Sequence, residues 1–198
     1  MCGRYTVHTE EELIEIREIL EMLSMRIYEN SFEKNAKAGE MYPTDRTPVL
    51  MVKNNEVILE NVRWGFKKWD NKGVIINARS ESVGEKGLFK ELVSEKRCIV
   101  PATGFFEWKH QGGKKSNDKY FIKRADGEML FMAGLYRQGD VDLEFVILTK
   151  EADSNVGKVH TRMPLILNRK QVAGWFAGSL SIEELIAEQF NLILEKVK

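Results

Sequence analysis

Pro48-Val49-Leu50-Met51-Val52-Lys53-Asn54-Asn55-Glu56-Val57-Ile58-Leu59 decides the fold. Two apolar runs flank an Asn-Asn pair, the signature of two strands joined by a tight turn. Strands so close in sequence pair antiparallel, because a parallel pair needs a long crossover. Further apolar runs follow: Val74-Ile75-Ile76, Cys98-Ile99-Val100, Tyr120-Phe121-Ile122, Met129-Leu130-Phe131-Met132, Phe145-Val146-Ile147-Leu148 and Pro164-Leu165-Ile166-Leu167. Each reads as a strand. Leu88, Phe89, Leu92 and Val93 are spaced for a short helix between the first two. Asn168/Gln171 and Ser181/Glu184 are capping-box pairs that open two late helices. On the amino-terminal side Thr9-Glu10-Glu11-Glu12 opens a helix whose apolar face is Leu13, Ile16, Leu20, Leu23 and Ile27. The last residues, Lys196-Val197-Lys198, follow a helical pattern, and the polar stretch from His110 to Asp118 reads as an exposed loop. Strands and helices do not alternate, which excludes a doubly wound parallel sheet. The expectation is an α+β fold: a single domain over residues 2–198 with a mainly antiparallel, barrel-like β-sheet flanked by helices.

Thirty Lys+Arg balance thirty Asp+Glu in 198 residues, so the chain is not the uniformly basic nucleic-acid binder. The balance is uneven along the chain. Residues 10–40 carry nine acidic and four basic side chains, whereas residues 61–124 carry fifteen basic and seven acidic ones. No apolar run is long enough to span a membrane. The first residues lack the apolar run of a secretory signal. Two cysteines are too few for a disulfide scaffold, which points to a reducing, cytoplasmic setting.

Cys2 draws attention by position. Removal of Met1 would leave it with a free α-amine beside its thiol. An amine titrating near ~8 and a thiol near ~8.5 are both partly available at neutral pH. Such an aminothiol condenses with an aldehyde to a five-membered thiazolidine; alternatively its thiol attacks an amide. The residue also reads as an ordinary buried cysteine. Asn77-Ala78-Arg79-Ser80-Glu81 ends an apolar run with a dense set of hydrogen-bonding groups, suited to orient a nucleophile and fork onto a phosphate; a polar turn would look the same. Gly104-Phe105-Phe106-Glu107-Trp108 sets one carboxylate among aromatics. Desolvation there would tune it towards acid/base work, although simple alternation would instead turn Glu107 to water between core-facing Phe106 and Trp108. His160-Thr161-Arg162-Met163-Pro164 joins an imidazole that titrates near neutrality to a guanidinium, with a structural histidine as the plainer reading. Cys2, Cys98 and the three histidines, His8, His110 and His160, lack metal-ligand spacing, and there is no phosphate-binding glycine loop, so neither metal nor cofactor is expected.

In order and spacing, these four segments resemble the SRAP family, the SOS response-associated peptidase-like or abasic-site processing proteins. Arg97-Cys98-Ile99-Val100-Pro101-Ala102 and Ala133-Gly134-Leu135-Tyr136 add to the resemblance, which spans about residues 2–175. It implies a protein that binds single-stranded DNA, or single-strand/double-strand junctions, carrying abasic sites, and that acts as a monomer. The ring-opened abasic sugar exposes an aldehyde, the electrophile that an aminothiol takes. The resemblance assigns Cys2 to the thiazolidine cross-link and Asn77 to holding the amine or the opened sugar. Glu107 becomes the acid/base of sugar opening and imine formation, and His160 a proton carrier to the sugar hydroxyl. Arg4, Arg79 and Arg162 become phosphate ligands, with Ser80 and Thr149 adding hydrogen bonds and Trp69, Phe106 and Trp108 stacking or supporting. A lyase side activity through the imine and a peptidase-like removal of Met1 belong to the same expectation. Two segments depart from the family: Gly39-Glu40-Met41-Tyr42-Pro43-Thr44 keeps only its last two residues, and Trp64-Gly65-Phe66-Lys67-Lys68-Trp69 is one residue shorter and lacks a proline. Two other classes stay open. An N-terminal-nucleophile amide hydrolase would share the Met-Cys-Gly opening, and a binding-only module would hold single strands by stacking and basic grooves.

Overall fold

The computed structural model describes residues 2–7, 39–54, 56–85, 87–111 and 114–197, the last with side chains from residue 118 onward. The helix expected from Thr9 lies outside the described residues. Fifteen strands are described: β1 Arg4–Val7, β2 Gly39–Met41, β3 Arg46–Lys53, β4 Glu56–Trp64, β5 Phe66–Lys67, β6 Val74–Ile75, β7 Asn77–Arg79, β8 Arg97–Ala102, β9 Gly104–Gln111, β10 Lys114–Arg124, β11 Leu130–Gln138, β12 Leu143–Glu151, β13 Arg162–Pro164, β14 Ile166–Leu167 and β15 Leu192–Val197. Helices run over Gly87–Glu95, Arg169–Ala177 and Ile182–Ala187.

The deciding hairpin forms as read. β3 and β4 pair antiparallel until Lys53 faces Glu56, leaving two residues for the turn. Asn54 takes φ +53°, the left-handed geometry that asparagine tolerates better than most residues. The two late capping boxes also form: Asn168 accepts from Gln171 N and Ser181 from Glu184 N, each reciprocated.

The larger sheet runs β13-β12-β4-β3-β8-β11-β14, with β7 beside β12 and a further β12–β11 pairing. It curls towards a ring without becoming a true barrel, because the β12–β4 seam rests on two register pairs, Glu144↔Arg63 and Phe145↔Trp64. That seam and β12–β7 are parallel; the other pairings are antiparallel. This sheet is buried on both faces. Leu50, Val146 and Leu148 pack with Phe89, Val172, Trp175 and Leu185 of the helices. Their neighbours Val49, Met51, Phe145 and Ile147 pack with Tyr5, Phe105 and Ile122 of the second sheet. Burial on both faces explains why these strands read as continuous apolar runs instead of alternating ones.

The second sheet is β15-β10-β9-β1-β2, antiparallel throughout. It corrects two expectations. The stretch from His110 to Asp118 is not a plain loop: residues 110–111 end β9 and residues 114–118 open β10, with a register irregularity between Lys115 and Lys119. The C-terminal stretch is not helical but forms β15, paired with β10 from Arg124↔Leu192 to Lys119↔Val197. An edge strand offering Leu192 and Leu194 to the inter-sheet core outweighs the local helical spacing.

Candidate active site

Strand pairing gathers the chemical residues. β1 begins two residues after Cys2 and pairs with β9 through Arg4↔Phe106, so residue 2 lies along the flank of Glu107. Gly104 opens β9 where a Cβ would come within 2.6 Å of Ile122 O and collide with the Phe121 ring, so the motif needs glycine there. β7 lies parallel to β12, with Asn77 facing Ile147 and Arg79 facing Thr149. β13 pairs with the end of β12, Glu151↔Arg162, and this puts His160 at the same corner.

Asn77 Nδ2 donates to the Cys2 carbonyl oxygen at 2.9 Å. Among the described residues nothing donates to Asn77 Oδ1, which is buried. The Cys2 thiol is fully buried, with Sγ 3.7 Å from Arg4 O. Burial, reinforced by the Glu107 carboxylate, pushes this thiol far above its ordinary range. Glu107 is 3% exposed and faces inward, which overturns the alternation reading of a water-facing carboxylate. Burial pushes its carboxyl up to about 7, against the pull of the positive amino terminus and the Trp108 N–H. His160 Nδ1 lies 3.9 Å from Glu107 Oε1. The same nitrogen lies 3.0 Å from the Arg162 backbone N–H and 3.1 Å from the Arg162 carbonyl oxygen, so which of the two it bonds follows the tautomer of the ring. Cys2, Asn77, Glu107 and His160 thus converge.

The other expected residues divide. Arg79 is exposed and makes no ion pair among the described residues. Trp69 is 96% exposed on the turn between β5 and β6. Arg162 is forked onto Glu81 at 2.7 and 2.9 Å and also donates to Thr149 O. Ser80 and Thr149, expected to offer hydrogen bonds to DNA, are buried: Ser80 Oγ donates to Thr149 O and Thr149 Oγ1 to Ala78 O, so the two hydroxyls tie β7 and the residue after it to β12. Phe106 is largely buried and packs on Phe121, while Trp108 is half-buried under Arg4. Sequence reading missed Glu40, Tyr42 and Lys119, which surround Arg4, and gave Glu81 no part as the partner of Arg162. Nothing local marks such contacts, since Glu40 and Lys119 stand 79 residues apart. Among the described residues no group of three or more His, Cys, Asp or Glu is placed to hold a metal ion.

Fold and site together define a mixed β protein whose Cys2 is docked by a distant asparagine beside a desolvated glutamate and a histidine. The chain belongs to the SRAP family: the family described as SOS response associated peptidase (SRAP) matches residues 1–196. It is 32% identical over 191 residues to the abasic site processing protein YedK of Escherichia coli, covering 93% of this chain and 83% of that protein. It is 29% identical over 186 residues to the abasic site processing protein YoqW of Bacillus subtilis, covering 88% and 80%. A crystal structure of a protein from Bacteroides thetaiotaomicron shares the fold, with a TM-score of 0.77 at 23% identity, covering all of this chain and 92% of that one.

Proposed function

We infer that this protein processes abasic sites in single-stranded DNA by forming a covalent thiazolidine cross-link through Cys2 once Met1 is removed. The observation that carries the reading is the Asn77–Cys2 hydrogen bond, which fixes residue 2 beside Glu107 and His160. Membership of a family whose relatives are named abasic site processing proteins supports it.

The chemistry follows from the site. The α-amine adds to the sugar aldehyde and loses water, giving an imine. The Cys2 S–H then adds across C=N: the C–S bond forms, the proton ends on nitrogen and the ring closes. With the thiol pushed up by burial, little thiolate stands ready, so ring closure needs a base. Glu107, titrating near 7, is poised both to protonate the departing hydroxyl and to accept the thiol proton. His160, within 3.9 Å, serves the sugar hydroxyl. The imine also acidifies the neighbouring sugar carbon, opening a route to strand cleavage; ring closure removes the imine and so shields the strand. Arg79 and Trp69, both exposed, suit a phosphate and an unpaired base. Release of Met1 from the nascent chain precedes this chemistry, and the setting is the cytoplasm or nucleoid.

Intact-mass spectrometry before and after incubation with an abasic single-stranded oligonucleotide tests this. The expected result is loss of Met1 and an adduct on Cys2 that survives heating without borohydride. A Cys2→Ala protein that still forms the heat-stable adduct overturns the thiazolidine route. Amide turnover lost in Cys2→Ala, with no adduct in the wild type, replaces the reading with an N-terminal-nucleophile hydrolase.

A further inference from the structure

Pairing of β2, β1, β9 and β10 places Glu40, Arg4, Phe106, Trp108 and Lys119 on one face of the five-stranded sheet. Arg4 Nη1 lies 3.1 Å from Glu40 Oε1, and Lys119 Nζ lies 2.8 Å from both carboxylate oxygens. Both cations rest on rings. The Arg4 guanidinium sits 4.4 Å from the Tyr42 ring centre and 5.0 Å from that of Trp108, and Lys119 Nζ sits 3.9 Å from that of Phe106. The rings hold the two cations in place from below, and Glu40 supplies the only anion bonded to them among the described residues. The side chains remain open to solvent, 35% for Arg4, 25% for Glu40 and 20% for Lys119. Burial would favour the neutral acid at Glu40, but the hydrogen bonds from Lys119 and Arg4 prevail and hold it ionised.

A carboxylate so held presents what a phosphodiester presents: two terminal oxygens sharing one negative charge between two cationic donors. Relative to the site the seat lies across the sheet: Arg4 pairs with Phe106, the residue before Glu107 on β9, and the two side chains point to opposite faces. We propose that Arg4 and Lys119 form a two-cation seat for a phosphodiester of the bound strand, and that Glu40 is a built-in counter-anion which this phosphate displaces.

The inference rests on the DNA-binding reading above and adds Lys119 and Glu40 to it. Tethering gives Glu40 a high effective concentration, so a free anion competes poorly. A strand already anchored at neighbouring contacts is tethered too and can win the exchange. Glu40 thereby lowers affinity for DNA that touches this seat alone.

Fluorescence-anisotropy titration with an undamaged single-stranded oligonucleotide, over a NaCl series, tests the proposal free of covalent chemistry. The proteins are the wild type, Glu40→Gln, Lys119→Met and the double variant, each checked for folding by thermal melting. Glu40→Gln keeps the shape, removes the charge and should bind about fivefold tighter at low salt, with the gain shrinking as salt rises. Adding Lys119→Met should abolish that gain. Affinity unchanged or weakened by Glu40→Gln in a folded protein overturns the proposal, as does a gain that survives Lys119→Met. If the wild type binds and only these differences are missing, this inference alone falls; if none of the four proteins binds, the DNA reading falls with it.

Discussion

Asn77 holds the carbonyl of Cys2 at 2.9 Å across 75 residues of sequence. The contact makes the position of residue 2 a property of the β7–β12 pairing, not of the chain end alone. Asn77→Ala should therefore slow cross-linking more than it weakens the fold. Single-turnover rates with abasic DNA are expected to fall by roughly 10- to 100-fold, the scale of a misplaced reacting group. Stability should drop by about 1 kcal/mol, the worth of one hydrogen bond. An unchanged rate in the variant would remove Asn77 from the positioning machinery.

Glu107 gives stability a pH dependence of known sign. Its carboxyl titrates near 7 in the fold and near 4.5 when exposed. Between these values the folded protein keeps a proton that the unfolded chain has lost, so stability is greatest below about 4.5 and falls as pH rises through about 7. For this group alone the loss is roughly 3 kcal/mol. Glu107→Gln should flatten that slope and be the more stable protein at pH 8, while losing the rate inflection near neutrality. Urea denaturation at pH 5 and pH 8 decides: parallel behaviour of the two proteins contradicts the assignment.

Trp69 separates binding from folding. At 96% exposure it gives the core nothing, so Trp69→Ala should leave stability within ~0.5 kcal/mol. If it stacks on an unpaired base, affinity for single strands should fall by about 1–3 kcal/mol. Anisotropy titration reads this directly, and equal affinities would leave the exposed ring without that role.

Thr44 carries φ +80°, unusual for a β-branched residue. The Tyr42–Asp45 turn imposes it: Asp45 N donates to Tyr42 O, Tyr42 N to Asp45 Oδ2, and Thr44 N to Trp64 O. Pro43 followed by a positive-φ residue is a type II pattern that favours glycine. Thr44→Gly should stabilise the protein by about 1 kcal/mol, part of the relieved strain being offset by the greater freedom of glycine in the unfolded chain. A lower midpoint in chemical denaturation would contradict this.

Local signals were legible. The Asn54 turn and the Asn168 and Ser181 caps involve contacts within four residues, and each forms as read. Signals that depend on distant partners were not. Alternation left Glu107 open between water and core, because it names two faces without saying which is covered; here the Glu107 face meets the inter-sheet core. Residues 110–118 looked like a loop because their composition is polar, yet polar side chains do not stop a backbone from pairing. β15 looked helical until β10, some seventy residues earlier, supplied its partner. At the site, family motifs brought Cys2, Asn77, Glu107 and His160 to notice, whereas the Arg4–Glu40–Lys119 contacts exist only through strand pairing.

The pairing of β1 with β9 also sets a clock during synthesis. Residue 2 leaves the ribosome well ahead of Phe106, which holds Arg4 in register and follows more than a hundred residues later, and His160 comes later still. Translation at about 5–20 residues per second gives that interval a length of several seconds or more. Throughout it the amino end has no pocket to enter and stays open to the enzymes that trim nascent chains. Trimming and burial therefore do not compete, and a cysteine fully enclosed in the finished fold can still have been processed at its amino group.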